Sequence, residues 1–216
     1  MRRDWAPEVR RTLIGSSHVT PAALVVTPIR SIFSLFKERG WALTGEDGWW
    51  PVLERGSAVT VLVPQGGALA DLCAVCGEAS SVDLLGYAGA LRPACDVGTV
   101  VRPSTASIHG DGRALPLSGS SGDGPQVVSV AGLLTAYAHA NDLLSAGDVV
   151  DMECGHAAAA LREVGGPRLR AQLIITDRWP DQPFYAASQT LLSMVAAARP
   201  KLVDAVIGRL STEGFL

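Results

Sequence analysis

The sequence predicts a single-domain, layered α/β protein. Three observations carry the prediction. The chain has 216 residues, a length that suits one domain with a large core. Apolar residues make up 48% of it, which excludes disorder. Short β-branched runs alternate with segments of helical period, the pattern of strands buried between helices.

Leu24-Val25-Val26-Thr27 is a β-branched run and predicts the first strand. Pro28 comes next, a residue favoured at the first helical position because its missing N–H would be unpaired anyway. Ile29, Ile32, Phe33, Leu35 and Phe36 recur at helical spacing, and Gly40 stops that helix. Pro51 to Gly56 predicts a hairpin into Ala58–Val63. Pro64-Gln65-Gly66-Gly67 is a turn, and Ala68 to Ala79 a helix. Val82–Leu85 predicts a buried strand, Gly86-Tyr87-Ala88-Gly89 a glycine turn, and Asp96–Val101 another strand. Residues 110–126 are rich in Gly, Ser and Asp and predict a flexible surface loop. Val127–Val130 restarts the sheet, and Asp148–Met152 feeds a helix from Glu153 to about Glu163. Gln172–Thr176 is a strand ending at Asp177, and Ala186–Ile207 a terminal helix interrupted at Pro200. Residues 1–20 are expected to be irregular, and the whole of 1–216 to be one domain.

The charge balance narrows the function classes. Lys and Arg number 18 against 21 Asp and Glu, a net charge of −3, which argues against a nucleic-acid partner. Met1-Arg2-Arg3 looks like a basic leader, but Asp4, Glu8, Arg10 and Arg11 interrupt the stretch after it. No run approaches the roughly 18 apolar residues of a spanning helix. No membrane partner and a cytoplasmic location are expected. Cys73, Cys76, Cys95 and Cys154 fit that compartment as reduced thiols. Cys73-x-x-Cys76 suggests a redox pair or half a zinc site, but His18, His109, His139 and His156 are scattered and complete no ligand set. Thiols packed in an Ala-rich helix are the expectation, with no metal and no cofactor.

The polar residues of interest fall at strand ends, where ligands bind in open α/β sheets. Thr27-Pro28-Ile29-Arg30 offers helix N–H groups and a guanidinium for an anion, or a capped helix with a solvated Arg. Gly86 to Gly89 allows close backbone approach of a ligand, or is a plain tight turn. Asp151-Met152-Glu153 sets a carboxylate at a helix start, as a hydroxyl acceptor or as a dipole charge. Thr176-Asp177 sets a carboxylate at a strand end, as a general acid or in a cap or salt bridge.

The order of these segments resembles the nucleoside phosphorylase and nucleosidase superfamily, of the purine nucleoside and uridine phosphorylase type. "VDLLGYAGALRPACDVGTVV" (82–101) is similar to the family's strand, Gly-x-x-Gly turn and second strand. "DVVDMECGHAAAA" (148–160) resembles its Val-Glu-Met-Glu-Ala-Ala segment, "LIITD" (173–177) its strand ending in Ser-Asp, and "TPIR" (27–30) its Asp-Pro-Leu-Arg turn. The agreement spans about residues 24 to 207.

The resemblance implies a three-layer α/β/α fold around a central mixed sheet, and cleavage of the N-glycosidic bond of a purine-like nucleoside, by phosphorolysis or hydrolysis, in a homodimer or hexamer. It implies that Met152 packs against the ribose, Glu153 binds its 2′- and 3′-hydroxyls, and Asp177 protonates the purine as it leaves. Arg30 would hold phosphate as a possible co-substrate. Gly66 and Gly86 would admit ligand to the backbone, Tyr87 would lie in the anion space, and Tyr137 would stack the base. The chain also departs from the family. Leu84 stands where phosphorylases carry a phosphate-gripping Arg, and Val26 and Thr27 replace a Gly and an acidic residue. No Glu or Asp occurs at 24–37, where nucleosidases carry a water-activating carboxylate. The phosphate site is therefore expected to be incomplete, and so is the water-activating pattern of the hydrolases. The alternative expectation is a repurposed member with another substrate or reaction, or a non-catalytic ligand-binding protein.

Overall fold

The computed structural model describes residues 6–15, 21–45, 47–64, 66–119, 122–179, 181–183 and 187–216. Met1-Arg2-Arg3, Asp4, His18, Gln65, Ser120, Ser121 and Ala186, all used in the sequence predictions, lie outside them. The first half of the chain gives helix α1 (Ala6–Ile14), strand β1 (Ala23–Thr27), helix α2 (Arg30–Glu38), strands β2 (Ala42–Thr44), β3 (Val52–Arg55) and β4 (Ala58–Leu62), helix α3 (Gly67–Val75) and the long strand β5 (Ser81–Ala90). The second half gives β6 (Val100–Val101), β7 (Thr105–Ile108), β8 (Leu115–Pro116), β9 (Gln126–Ser129), helices α4 (Leu133–Ala138) and α5 (Ala140–Ala146), β10 (Val149–Asp151), helix α6 (Cys154–Glu163), β11 (Arg170–Arg178) and helix α7 (Gln189–Thr212).

Among the described residues the strands form one mixed sheet, ordered β2-β3-β4-β1-β5-β10-β9-β7-β8, with β11 bridging β5 and β6. β1 pairs parallel with β4 and with the first half of β5, while β10 pairs antiparallel with its second half. β11 runs parallel along almost the whole of β5, from Arg170↔Asp83 to Arg178↔Ala90. Every residue of β1 is buried, as expected of a strand with both faces covered. α1, α3 and α6 pack together, and α2 packs on α7. The mixed sheet is thus flanked by helices, as the resemblance implies.

Several local expectations change. Residues 1–20 are not irregular throughout, since Ala6–Ile14 is helical and buries Leu13 and Ile14. Gly86 to Gly89 is not a turn but the continuation of β5. The glycines there serve close strand approach: a Cβ on Gly86 would stand 3.3 Å from the Leu173 side chain, and one on Gly89 would stand 3.3 Å from Asp177 Oδ2. The strand predicted over Asp96–Val101 shrinks to Val100–Val101, because Thr99 turns back onto the Asp96 carbonyl. Within 110–126, Leu115–Pro116 forms β8, which pairs with β7, and Leu115 and Leu117 are buried. α2 begins at Arg30 rather than Pro28, after the Thr27 hydroxyl accepts from the Ile29 N–H at 3.1 Å. α7 runs through Pro200 without a break. Val195 and Ala198 before Pro200 and Leu202, Val203 and Val206 after it are buried in the core, which offsets the lost backbone bond.

Charge inside the sheet is paired at the end remote from the strand C-termini. Asp83 in β5 is fully buried, with Arg209 Nη2 at 2.5 Å and Arg170 Nη1 at 4.0 Å. Cys73 and Cys76 are buried free thiols; burial pushes the first up and the second to about 12, so they pack as small apolar groups. No described helix is long and apolar enough to cross a membrane.

Candidate functional site

The carboxyl ends of β5, β10 and β11 converge on a cavity of about 240 Å³. Ala88 and Gly89 of β5 form its floor, and Met152 and Glu153 enter after β10. Thr176 and Asp177 enter from β11, and Trp179 and Leu133 of α4 supply apolar wall. The lining is largely apolar, with carboxylates as its charged groups and no Lys or Arg among the described residues.

Glu153 is 5% exposed, and burial, with the nearby Asp151, pushes its carboxyl up to about 7. Backbone N–H groups of Gly66 and Met152 partly offset that cost. Its Oε1 is buried without a hydrogen-bond partner among the described residues. The sequence alone suggests Glu153 as the charge at the α6 N-terminus, yet Asp151 does that work. Asp151 Oδ2 accepts the Cys154 N–H at 2.7 Å. Its Oδ1 accepts from the Ser129 hydroxyl, whose oxygen accepts the Gly155 N–H at 2.6 Å. These contacts satisfy the first two α6 N–H groups and leave Glu153 facing the cavity. Burial pushes Asp151 up to about 6, against those hydrogen bonds.

Asp177 is 7% exposed, and the Thr176 hydroxyl donates to its Oδ1 at 2.5 Å. A bulge in β11 between Ile175 and Asp177 turns it toward Gly89. A carboxyl held this way, across an apolar cavity from a second carboxyl, is suited to proton transfer to a bound base.

The other predicted residues separate into two groups. Tyr87 lines the cavity, and its hydroxyl accepts from Arg199 Nε at 2.6 Å. Arg30 does not face the cavity; it lines a neighbouring cleft with Ser31, Ser34 and Arg199, and Tyr87 borders both. Gly66 and Gly86 lie outside the cavity lining, whereas Gly89 is part of it. Tyr137 also stands outside, stacked edge-on against Trp179 at 4.2 Å between centroids. Trp179 reaches the cavity beside Tyr87, and the sequence prediction missed it. Its only signal was an indole two residues beyond a strand-end carboxylate. Leu84 is fully buried in β5.

No family model matches the sequence, and no curated protein matches it. Solved structures do match. The fold is shared with solved structures of nucleosidases, at low sequence identity. The chain is similar to the AMP nucleosidase from Bacteroides thetaiotaomicron, with a TM-score of 0.64 and 16% identity, over 95% of this chain and 99% of that one. It is similar to the 5′-methylthioadenosine nucleosidase of Arabidopsis thaliana, with a TM-score of 0.69 and 13% identity, over 89% of this chain and 95% of that one. It is also similar to the 5′-methylthioadenosine/S-adenosylhomocysteine nucleosidase from Neisseria meningitidis in complex with methylthio-immucillin-A, with a TM-score of 0.64 and 15% identity, over 85% and 97%.

Proposed function

We propose that this chain is a nucleosidase that hydrolyses the N-glycosidic bond of a purine nucleoside or a nucleoside-derived metabolite. The observation that carries the proposal is the pairing of Glu153 and Asp177 across one largely apolar cavity at the strand ends. Three similar structures named as nucleosidases for AMP, 5′-methylthioadenosine and S-adenosylhomocysteine support the substrate class.

The groups present define the chemistry. Glu153, as carboxylate, accepts hydrogen bonds from two ribose hydroxyls and fixes the sugar. The C1′–N bond breaks with its electron pair moving to the base, and Asp177 donates its proton to a ring nitrogen of that base. Water adds its hydroxyl to C1′, and the proton it releases restores Asp177. The atoms balance as nucleoside plus water to free base plus free sugar. Hydrolysis rather than phosphorolysis is favoured by a lining that is acidic and holds no Lys or Arg among the described residues, and by the position of Arg30 in the neighbouring cleft. Phosphate in that cavity would face carboxylates with no guanidinium among the described lining residues to neutralise it.

The test is a panel of purine nucleosides and 5′-substituted adenosines, incubated with and without phosphate and assayed for free base. Base release at equal rates in both buffers is expected. Release that requires phosphate would replace hydrolysis by phosphorolysis, and no release from any nucleoside would leave a binding protein.

A further inference from the structure

His109 lies just beyond β7, His139 joins α4 to α5, and Asp142 lies in the first turn of α5. The sequence scatters them, but the fold brings them together at the surface beside the cavity wall. One donor atom from each lies within 4.8 Å of the other two. The imidazole centroids stand 4.7 Å apart with rings tilted by 42°. His139 Nδ1 is 3.5 Å from Asp142 Oδ2, long for an N–H···O bond.

Ligand atoms bound to tetrahedral zinc at about 2.0–2.1 Å stand roughly 3.4 Å from one another. A side-chain adjustment of about 1 Å therefore brings the three donors to one ion. The backbone supports the arrangement. The His109 N–H donates to the Ser129 carbonyl at 2.9 Å, which fixes that residue on the sheet. His139 and Asp142 are three residues apart and project from the same side of the α5 N-terminal turn.

We propose that His109, His139 and Asp142 form a three-ligand zinc site. Two imidazoles and a carboxylate are a borderline donor set that suits zinc; magnesium and calcium prefer all-oxygen shells. Both His139 and Asp142 are solvent-exposed, so water has access to the fourth position. The site spans two chain segments. α4, whose Leu133 and Ala136 line the cavity, ends next to His139, and His109 directly follows β7. The bound ion thereby ties that wall of the cavity to β7 and acts as a structural clamp, separate from Glu153 and Asp177.

The experiment uses the full chain after treatment with a chelator. Zinc is titrated by calorimetry, and cobalt(II) is titrated in parallel for its visible ligand-field bands. One equivalent of zinc is expected to bind, with cobalt bands of a tetrahedral nitrogen and oxygen site. His109→Gln and His139→Gln are each expected to raise Kd at least about 10-fold, since even an outer-shell partner of a metal site is typically worth 10–100-fold. The double variant is expected to lose the site and the zinc-dependent rise in Tm together. Absence of stoichiometric binding of either metal overturns the proposal. Zinc binding unchanged in the double variant also overturns it, because the ion then sits on other ligands.

Discussion

Replacing Glu153 by Gln is expected to stabilise the folded chain above neutral pH while it removes activity. Burial raises the Glu153 carboxyl from its ordinary 4.5 to about 7. Below about pH 4.5, folded and unfolded chains both hold the proton, and the group has no effect on the balance. Between about 4.5 and 7 the unfolded chain ionises first, so stability falls as the pH rises. Above about 7 the full cost is present, of order 3 kcal/mol at roughly 1.4 kcal/mol per pH unit. An amide of nearly the same shape avoids that ionisation but must find its own hydrogen bonds, so the net gain is about 1–3 kcal/mol. Urea unfolding at about pH 8 should therefore show Glu153→Gln more stable than the parent, with the difference vanishing near pH 4. At roughly 2–4 °C per kcal/mol the gain is also visible in Tm. The same variant loses one to two charge-assisted bonds to ribose hydroxyls, each worth about 1.5–3 kcal/mol, so kcat/KM should fall by about 10²-fold or more. In the parent, kcat/KM should decline as the pH falls through about 7, since the carboxylate form is the hydroxyl acceptor. A variant less stable than the parent at both pH values, with unchanged kcat/KM, would refute the reasoning on both counts.

Asp177→Asn keeps the side-chain shape and removes the proton donor; purine cleavage should fall by about 10²–10⁴-fold with little change in Tm, and an unchanged base-release rate would remove Asp177 from the mechanism. Arg209→Met deprives the buried Asp83 of its 2.5 Å partner and should cost about 3–5 kcal/mol at neutral pH by urea unfolding. Burial already raises the Asp83 carboxyl against the pull of Arg209 and Arg170, so this loss should shrink toward acid pH as Asp83 takes up a proton. An equal loss at both pH values would assign it to packing of the Arg209 stem.

The strands were legible because burial on both faces forces continuous apolar runs, as in β1 and β5, and such runs stand out between polar segments. The glycines of β5 misled because glycine signals either a turn or a close approach of two backbones. Only the register with β11 distinguishes the two. Pro200 misled for a related reason: its local cost is offset by distant packing along α7. Of the candidate site, Met152, Glu153 and Asp177 meet at one cavity because each sits at or beside a strand end and the sheet order brings those ends together, while Tyr87 reaches it from within β5. Arg30 sits at a strand end too, but the first turn of α2 directs it to the adjoining cleft, and its spacing carries no sign of that. Asp151 as the support of α6, Trp179 as the aromatic wall and the meeting of His109 with His139 all depend on contacts between segments far apart in the chain. No local pattern contains them.

The central claim is that the paired carboxylates use water to cleave a nucleoside. The most direct test is the ratio of free reducing sugar to free base, measured on a cleaved nucleoside in phosphate-free buffer. A one-to-one ratio, abolished in the Glu153→Gln Asp177→Asn double variant, is predicted. Base release that appears only with phosphate and yields a non-reducing sugar phosphate, or no base release from any nucleoside, would contradict it.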